Sequence, residues 1–371
     1  MTETSAAQTA LTAAHARIAD FCGRLGIALP VMNAPMTGVA GVAMAAAVSE
    51  AGGLGVLPVG RMTPGEITQA VAQIRALTEK PFALSIRIPP KVKHSPEDLR
   101  VLAEGVSAVM EDLGLPATDS PDAAGHYDFA CANEGESFAA RFAAIVAARP
   151  AAVLSTAGGF REPEAEALEA AGILNFGTAT TLREAKVLRA AGVDAIVLQG
   201  SEAGGPRSNF EDADDVMTGL AALVPQAARA TGLPVIAAGG VFDPAQALGL
   251  AVAGASGVML GTALLGTKES LATPYAKQAL TWVSAGNLTL TRLYSGRLER
   301  VLRSPLLDAL ADYVPGLPAW PAPEAVMGPL TEAAARQGRE ELEAVRLGES
   351  AGRSLDRDCA GAVKRIASLL V

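Results

Sequence analysis

The sequence predicts an α/β protein built as a (β/α)8 TIM barrel, carrying an inserted segment and a helical C-terminal extension. Three observations carry this expectation. Short apolar runs alternate with helix-patterned segments, eight such runs occur between Val31 and Leu260, and the last two runs each end in a glycine turn. Alternating βα units imply a parallel sheet, and eight of them imply a closed barrel. Strands buried on both faces should be continuous apolar runs rather than alternating ones, and these are.

The expected strands are 30–36 with its loop, then 54–57, 82–86, 152–155, 174–177, 195–199, 235–238 and 257–260. Between them the spacing predicts helices over 42–51, 64–77, 96–113, 136–148, 164–171, 182–191, 213–230 and 244–253. Pro64 at a first turn and Ser95 as an N-cap are start signals, and Gly52-Gly53 is a stop. Residues 115–132, rich in Pro, Asp and Gly, break the rhythm and read as an insertion. A lead-in over 1–24 precedes a barrel over 25–267, and 268–371 form a mainly helical extension. That extension ends in a helix near 362–370, and its segment 287–303 is expected to return to the barrel mouth. A doubly wound sheet is the alternative fold, but no GxGxxG follows the first strand as a dinucleotide site would require.

The 371 residues suit one barrel plus an extension, and 50% hydrophobic content is enough for a large core. Aromatic content of 4% and a net charge of −9 argue against a nucleic-acid partner. They do not exclude a phosphate-bearing cofactor, because a few oriented N–H groups hold one phosphate locally. The three cysteines, Cys22, Cys131 and Cys359, form no CxxC pair, so neither a metal site nor a disulfide framework is indicated. The first residues lack the basic start and apolar run of a signal peptide, and no apolar run reaches the length of a membrane span. A reducing cytoplasm is the expected compartment, a small molecule the expected partner, and a homo-oligomer is compatible with the sequence.

Two turns carry the chemistry. Ala237-Ala238-Gly239-Gly240 follows the seventh strand and Leu260-Gly261-Thr262 the eighth. The loops after these strands form the common phosphate site of this fold. Glycine allows close backbone approach with consecutive N–H groups aimed at an anion, and Thr262 adds a hydroxyl. Tight βα turns with no ligand are the other reading of either turn taken singly.

The segments NAPMTGVAGVAMAAAVSEAGGLGVL (33–57), VDAIVLQGSEAGG (193–205), LPVIAAGGV (233–241) and VMLGTALLGTKES (258–270) resemble the nitronate monooxygenase family. This family was formerly called 2-nitropropane dioxygenase, and it includes flavin-dependent enoyl reductases of fatty-acid synthesis. YSGRLER (294–300) is similar to the family's C-terminal signature, and the likeness covers about 25–303. The resemblance implies FMN. Asn33, Ala34, Pro35 and Met36 would line its ring, with Ser85 at the end of the third strand. Gln199 would reach the ribityl chain or ring, Gly204 and Gly205 would offer backbone N–H groups, and Gly239, Gly240, Gly261 and Thr262 would hold the phosphate. Gln199 as a satisfied barrel-interior group and Met36 as simple packing are the competing readings.

The sequence departs from the family where a candidate catalytic base is typical. The run EAGG is followed there by His and here by Pro206, which accepts no proton. The three histidines are His15, His94 and His126, none directly after an expected barrel strand. His126 could reach the mouth from the insertion or stay a solvated loop residue. Glu202 belongs to the motif, with a structural role competing with that of a base. Arg207 is placed either to pair with an anionic substrate or at the surface. Tyr294 and Arg297 either close the site or serve the extension's own structure. The resemblance therefore implies an FMN-dependent oxidation of nitronates or a related small anion with O2. An NAD(P)H-using reductase similar to the family's enoyl reductases and a flavin-binding protein with diverted or lost catalysis are the alternatives.

Overall fold

The structure is a computed structural model that describes residues 3–89, 104, 134–211, 216–353 and 356–371. The expected insertion at 115–132, most of the expected helix 96–113, and His94, His126 and Cys131 lie outside the described residues. Eight parallel strands form the sheet: β1 (Val31–Asn33), β2 (Gly55–Pro58), β3 (Phe82–Arg87), β4 (Ala152–Thr156), β5 (Leu174–Ala179), β6 (Ala195–Gln199), β8 (Val235–Ala238) and β9 (Gly257–Leu260). A short β7 (Gly205–Pro206) lies outside it. The order β1-β9-β8-β6-β5-β4-β3-β2 is that of a barrel opened between β1 and β2.

That seam is closed by one bridge and one side chain. Met32 pairs with Leu54, and the Asn33 amide takes the place of the next ladder step. Asn33 Nδ2 donates to the Val56 carbonyl at 2.7 Å, and Val56 N–H donates to Asn33 Oδ1 at 2.7 Å. A primary amide carries the same donor and acceptor as a peptide unit, so the side chain satisfies a backbone that would otherwise be orphaned. Gly55 is forced nearby, since a Cβ there would lie 1.8 Å from the Ala45 carbonyl oxygen.

The intervening helices start where caps and prolines place them. Helix Pro64–Leu77 has Pro at its first turn and a capping box from Thr63 and Glu66. Helix Pro244–Ala253 is capped by Asp243. Of the helix expected over 213–230 the structure forms Leu220–Thr231; 216–219 are not helical, with Gly219 extended, and 212–215 lie outside the described residues. The N-terminal helix Glu3–Leu25 buries Ala14, Ile18, Phe21 and Leu25. Phe21 stacks on Phe176 with ring centroids 6.3 Å apart, beside Gly257 at the start of β9, so this helix seals the N-terminal end of the barrel. Helix Cys359–Ala367 returns to pack on the outer layer, its Ala362, Val363 and Ile366 inaccessible to solvent.

The segment after β9 is not simply helical. Helices Pro274–Ala279, Pro305–Ala309 and Ala322–Arg336 are joined by two strands, β10 (Leu288–Thr291) and β11 (Glu299–Leu302). β10 and β11 are antiparallel, and β11 pairs with β7 through Glu299–Pro206 and Arg300–Gly205. Periodicity missed these strands because each has four residues and no clean alternation. They bring the 287–303 segment to the loop after β6, at the C-terminal ends of the barrel strands.

Candidate functional site

The glycine turns follow adjacent strands, Gly239-Gly240 after β8 and Gly261 after β9, which neighbours β1. Gly239 and Gly240 have φ of +127° and +66°, conformations that side-chain-bearing residues rarely adopt. A Cβ on Gly240 would lie 2.9 Å from Glu202 Cβ. The N–H groups of Gly239, Gly240 and Gly261 donate to no group among the described residues. Three backbone donors without a protein partner at adjacent strand ends are groups that could hold an anion such as one phosphate. Thr262 is buried, and its Oγ1 accepts from Gly348 N–H at 2.9 Å, which leaves its own proton available to donate. Gly261 lies against Ala34 and Met36, at 3.6 and 3.8 Å from a Cβ placed there. Ala34, Pro35 and Met36 are half-buried at this edge, whereas Asn33 is fully buried and held in the barrel seam. Ser85 is buried within β3 rather than at its end.

The loop after β6 is built from its own side chains. The Glu202 carboxylate accepts from Leu220 N–H at 2.9 Å, capping helix Leu220–Thr231, whose N-cap Gly219 has no side chain to do so. A carboxylate there also complements the helix dipole. The Glu202 carboxylate thus serves as the cap of this helix. Gln199 Nε2 donates to the Pro206 carbonyl at 3.0 Å, and its Oε1 accepts from Ser208 N–H at 2.8 Å. Arg207 is buried at 3% exposure, and its Nη1 donates to the carbonyls of Gln199 and Gly200 at 3.1 and 2.7 Å. The Arg207 guanidinium is thus engaged by the carbonyls of its own loop, and the alternative placement at the surface is corrected by its burial. Gly204 packs face to face with Gly348; a Cβ on Gly204 would lie 2.4 Å from the Leu347 carbonyl carbon. Glu349 N–H donates to the Glu202 carbonyl at 2.9 Å, so the strap 345–349 crosses this loop.

The opposite side of the mouth is built from arginines. Arg87 at the end of β3 and Arg61 after β2 pair with Glu324, at 3.3 and 3.4 Å. Burial works to raise the Glu324 carboxyl, but Arg87 and Arg61, then Arg346, outweigh it and hold it below the usual carboxylate range. The Trp320 ring sits 5.0 Å from Arg87 Cζ and 4.3 Å from Arg297 Cζ, a cation–π contact with each. Arg297 Nη1 donates to the carbonyls of Arg207 and Asn209, at 3.2 and 2.9 Å. Trp320 therefore ties the β3 end to the β6 loop. Tyr294 does not reach this space. It is 3% exposed within the extension's own core, its hydroxyl 3.2 Å from Ser304 Oγ, and burial pushes it up to about 12.

Arg61, Arg87, Trp320, Glu324 and Arg346 were not found by sequence reasoning. Each lies in a segment with no motif, and only the long-range pairing of the extension with β3 and β6 assembles them. An apolar depression of about 460 Å³ lined by Leu182, Lys186 and Val187 lies away from these strand ends and offers no acceptor or nucleophile. Among the described residues no cluster of His, Cys, Asp and Glu could hold a metal ion, and no helix is long and apolar enough to cross a membrane.

Comparison with known proteins agrees with this architecture. A probable nitronate monooxygenase of Staphylococcus haemolyticus is 29% identical over 331 residues, covering 88% of this chain and 89% of the relative. The crystal structure of nitroalkane oxidase from Streptomyces ansochromogenes superposes with a TM-score of 0.81 at 30% identity, covering 93% of this chain and 96% of that one. FabK from Thermotoga maritima shares the fold, with a TM-score of 0.68 at 23% identity over 94% of each chain. The family model for nitronate monooxygenase matches residues 21–369. The chain belongs to the nitronate monooxygenase family of oxidoreductases.

Proposed function

We propose that this protein is an FMN-dependent oxidoreductase that oxidises nitronates, or closely related small anions, with O2. The observation that carries the reading is the set of orphaned N–H donors of Gly239, Gly240 and Gly261 beside the Thr262 hydroxyl. They match one phosphate, and among the described residues no second cradle of a dinucleotide kind accompanies them. The half-buried Ala34–Met36 edge next to Gly261 would lie along the isoalloxazine, with Gly204 and Gly205 on the neighbouring loop. When bound, FMN supplies a two-electron acceptor whose reduced form reacts with O2.

The chain's own residues would bind, orient and exclude water. The Trp320 contact between Arg87 and Arg297 closes the β3-to-β6 side, and the surplus of guanidinium groups there attracts an anion into a chain of net charge −9. Pro206, where the family resemblance expects His, supplies no proton acceptor. A neutral nitroalkane must lose its α-proton before oxidation, whereas a nitronate has already lost it. The reading therefore favours nitronates over neutral nitroalkanes.

The test is the absorption spectrum of the purified protein, identification of the heat-released cofactor, and turnover of a nitronate against its nitroalkane. FMN with nitronate-selective O2 consumption is expected. FAD, or no flavin after reconstitution, would reject the cofactor reading. FMN with NAD(P)H oxidation on an enoyl thioester, and none on nitronates, would move the protein to the reductase class.

A further inference from the structure

Arg346 is a charge at the mouth that the barrel motifs do not account for. It belongs to the strap that crosses the β6 loop, anchored where Leu302 N–H donates to the Val345 carbonyl at 2.8 Å. Its Nε donates to Glu299 Oε2 at 2.8 Å, and Glu299, fully buried, also accepts from Ser295 Oγ at 2.7 Å. The two terminal nitrogens of this guanidinium have no hydrogen-bond partner among the described residues, and 41% of the side chain is accessible.

One side of this exposed arginine is nevertheless packed against the β6 loop and the extension. The Arg346 side chain runs along Gly205, with its Cδ 3.5 Å from a Cβ placed there. Glu324 and Tyr294 of the extension sense its charge from another side. It therefore stands between Gly205 of the β6 loop and the extension, near Glu324, the carboxylate that also pairs with Arg87. The other arginines there have their guanidinium groups engaged: Arg207 and Arg297 by loop carbonyls, Arg87 by Glu324, and Arg300 by the Ser201 carbonyl and Glu349. Burial works against the Arg346 charge, and Glu299, followed by Glu324, outweighs it and keeps the group cationic.

We propose that Arg346 is the residue that positions the anionic head of the substrate, with Glu299 holding its fork in place through Nε. Two parallel donors on a rigid plane match the two oxygens of a planar anion such as a nitronate or a carboxylate. This gives Arg346 the role that sequence order suggested for Arg207. The assignment rests on the proposed substrate class but not on turnover, since an inert planar anion tests it.

The probe is nitrate, titrated calorimetrically into the protein as purified. Wild type is expected to bind it. R346M alone strands a buried carboxylate, so the informative variant is E299Q/R346M, which leaves no unpaired charge. It should bind nitrate about 30-fold more weakly, the scale of a lost charged hydrogen-bonded pair, with flavin content and melting temperature close to wild type. R346K should recover part of that loss. KM for a nitronate should rise by a similar factor while kcat changes little. Unchanged nitrate affinity in E299Q/R346M would show that Arg346 only neutralises Glu299, and would overturn the proposal. Failure of wild type to bind nitrate would overturn it too. A protein that binds nitrate through Arg346 but oxidises no nitronate would leave this assignment standing and reject the proposed reaction instead.

Discussion

The two sides of the barrel mouth are made of different material. On the β8–β9–β1 side the available groups are backbone N–H donors on glycines, brought together by strands adjacent in the sheet. On the β3–β6 side they are long cationic side chains, Arg61, Arg87, Arg297 and Arg346, interleaved with Trp320, Glu324 and Glu299. The first side is rigid and indifferent to side-chain identity provided no Cβ intrudes. The second depends on each side chain and on the extension that supplies most of them. A phosphate-bearing group common to a family suits the first construction, and a substrate that distinguishes one member from another suits the second.

The largest effect is expected from the glycine side. Gly240→Asp puts a carboxylate into the cradle where a phosphate would lie, and Asp tolerates the left-handed backbone better than most residues. The flavin should be lost completely; because the added Cβ also presses on Glu202 Cβ, 2.9 Å away, circular dichroism and melting temperature are read alongside to separate loss of the cradle from loss of the fold. A yellow Gly240→Asp protein would break the distinction between the two sides.

The converse comes from Trp320→Ala. Removing a ring that is 7% exposed should cost about 3–5 kcal/mol of stability, read by chemical denaturation. Arg87 and Arg297 lose their shared contact, so nitronate KM should rise while flavin occupancy at low temperature is kept. Loss of flavin in parallel with loss of stability would show that the two sides are not separable.

Glu202 sits between them, its side chain on the helix Leu220–Thr231 and its carbonyl on the strap. Glu202→Ala should cost about 1–2 kcal/mol as a lost cap, with kcat on nitronates changed by less than its KM. A loss of many orders of magnitude in kcat, at full flavin occupancy, would make Glu202 a base after all.

The smallest effect lies far from both sides. Burial pushes the thiols of Cys22 and Cys359 up, to about 11 and about 12, because the thiolate would be desolvated. The folded state then holds these protons more tightly than the unfolded one. Their contribution is fully present below the unfolded thiol range and is lost as pH rises through about 9 towards 11–12. The double Cys22→Ser, Cys359→Ser variant should show a shallower fall in stability between pH 8.5 and 10.5. Alkylation of Cys22 and Cys359 by iodoacetamide at pH 7, followed site by site by mass spectrometry, should be slow.

Some of this was legible in the chain because it is local. The eight barrel strands follow from continuous apolar runs, helix Pro64–Leu77 from Pro64 at its first turn, and the paired glycine turns from glycines placed directly after two consecutive strands. The residues around the β6 loop were located but their roles were not. Gln199, Glu202 and Arg207 carry the groups a ligand site would use, and only the fold shows those groups bound to their own loop and to the Leu220 helix.

The sequence by itself determined the number and order of the barrel strands and the glycine turns, but not β7, β10 and β11, since apolar periodicity and φ > 0 turns are set by residues a few positions apart. Tertiary structure alone decided that the Asn33 amide closes the barrel seam, that the strap lies on Gly204, and that Arg346 rather than Arg207 keeps terminal donors unpaired at the mouth. Those outcomes depend on which backbone carbonyl or buried carboxylate reaches each side chain first. In this chain the partners are 23 positions apart for Asn33 and Val56, and 47 for Arg346 and Glu299, separations that leave no local pattern to read.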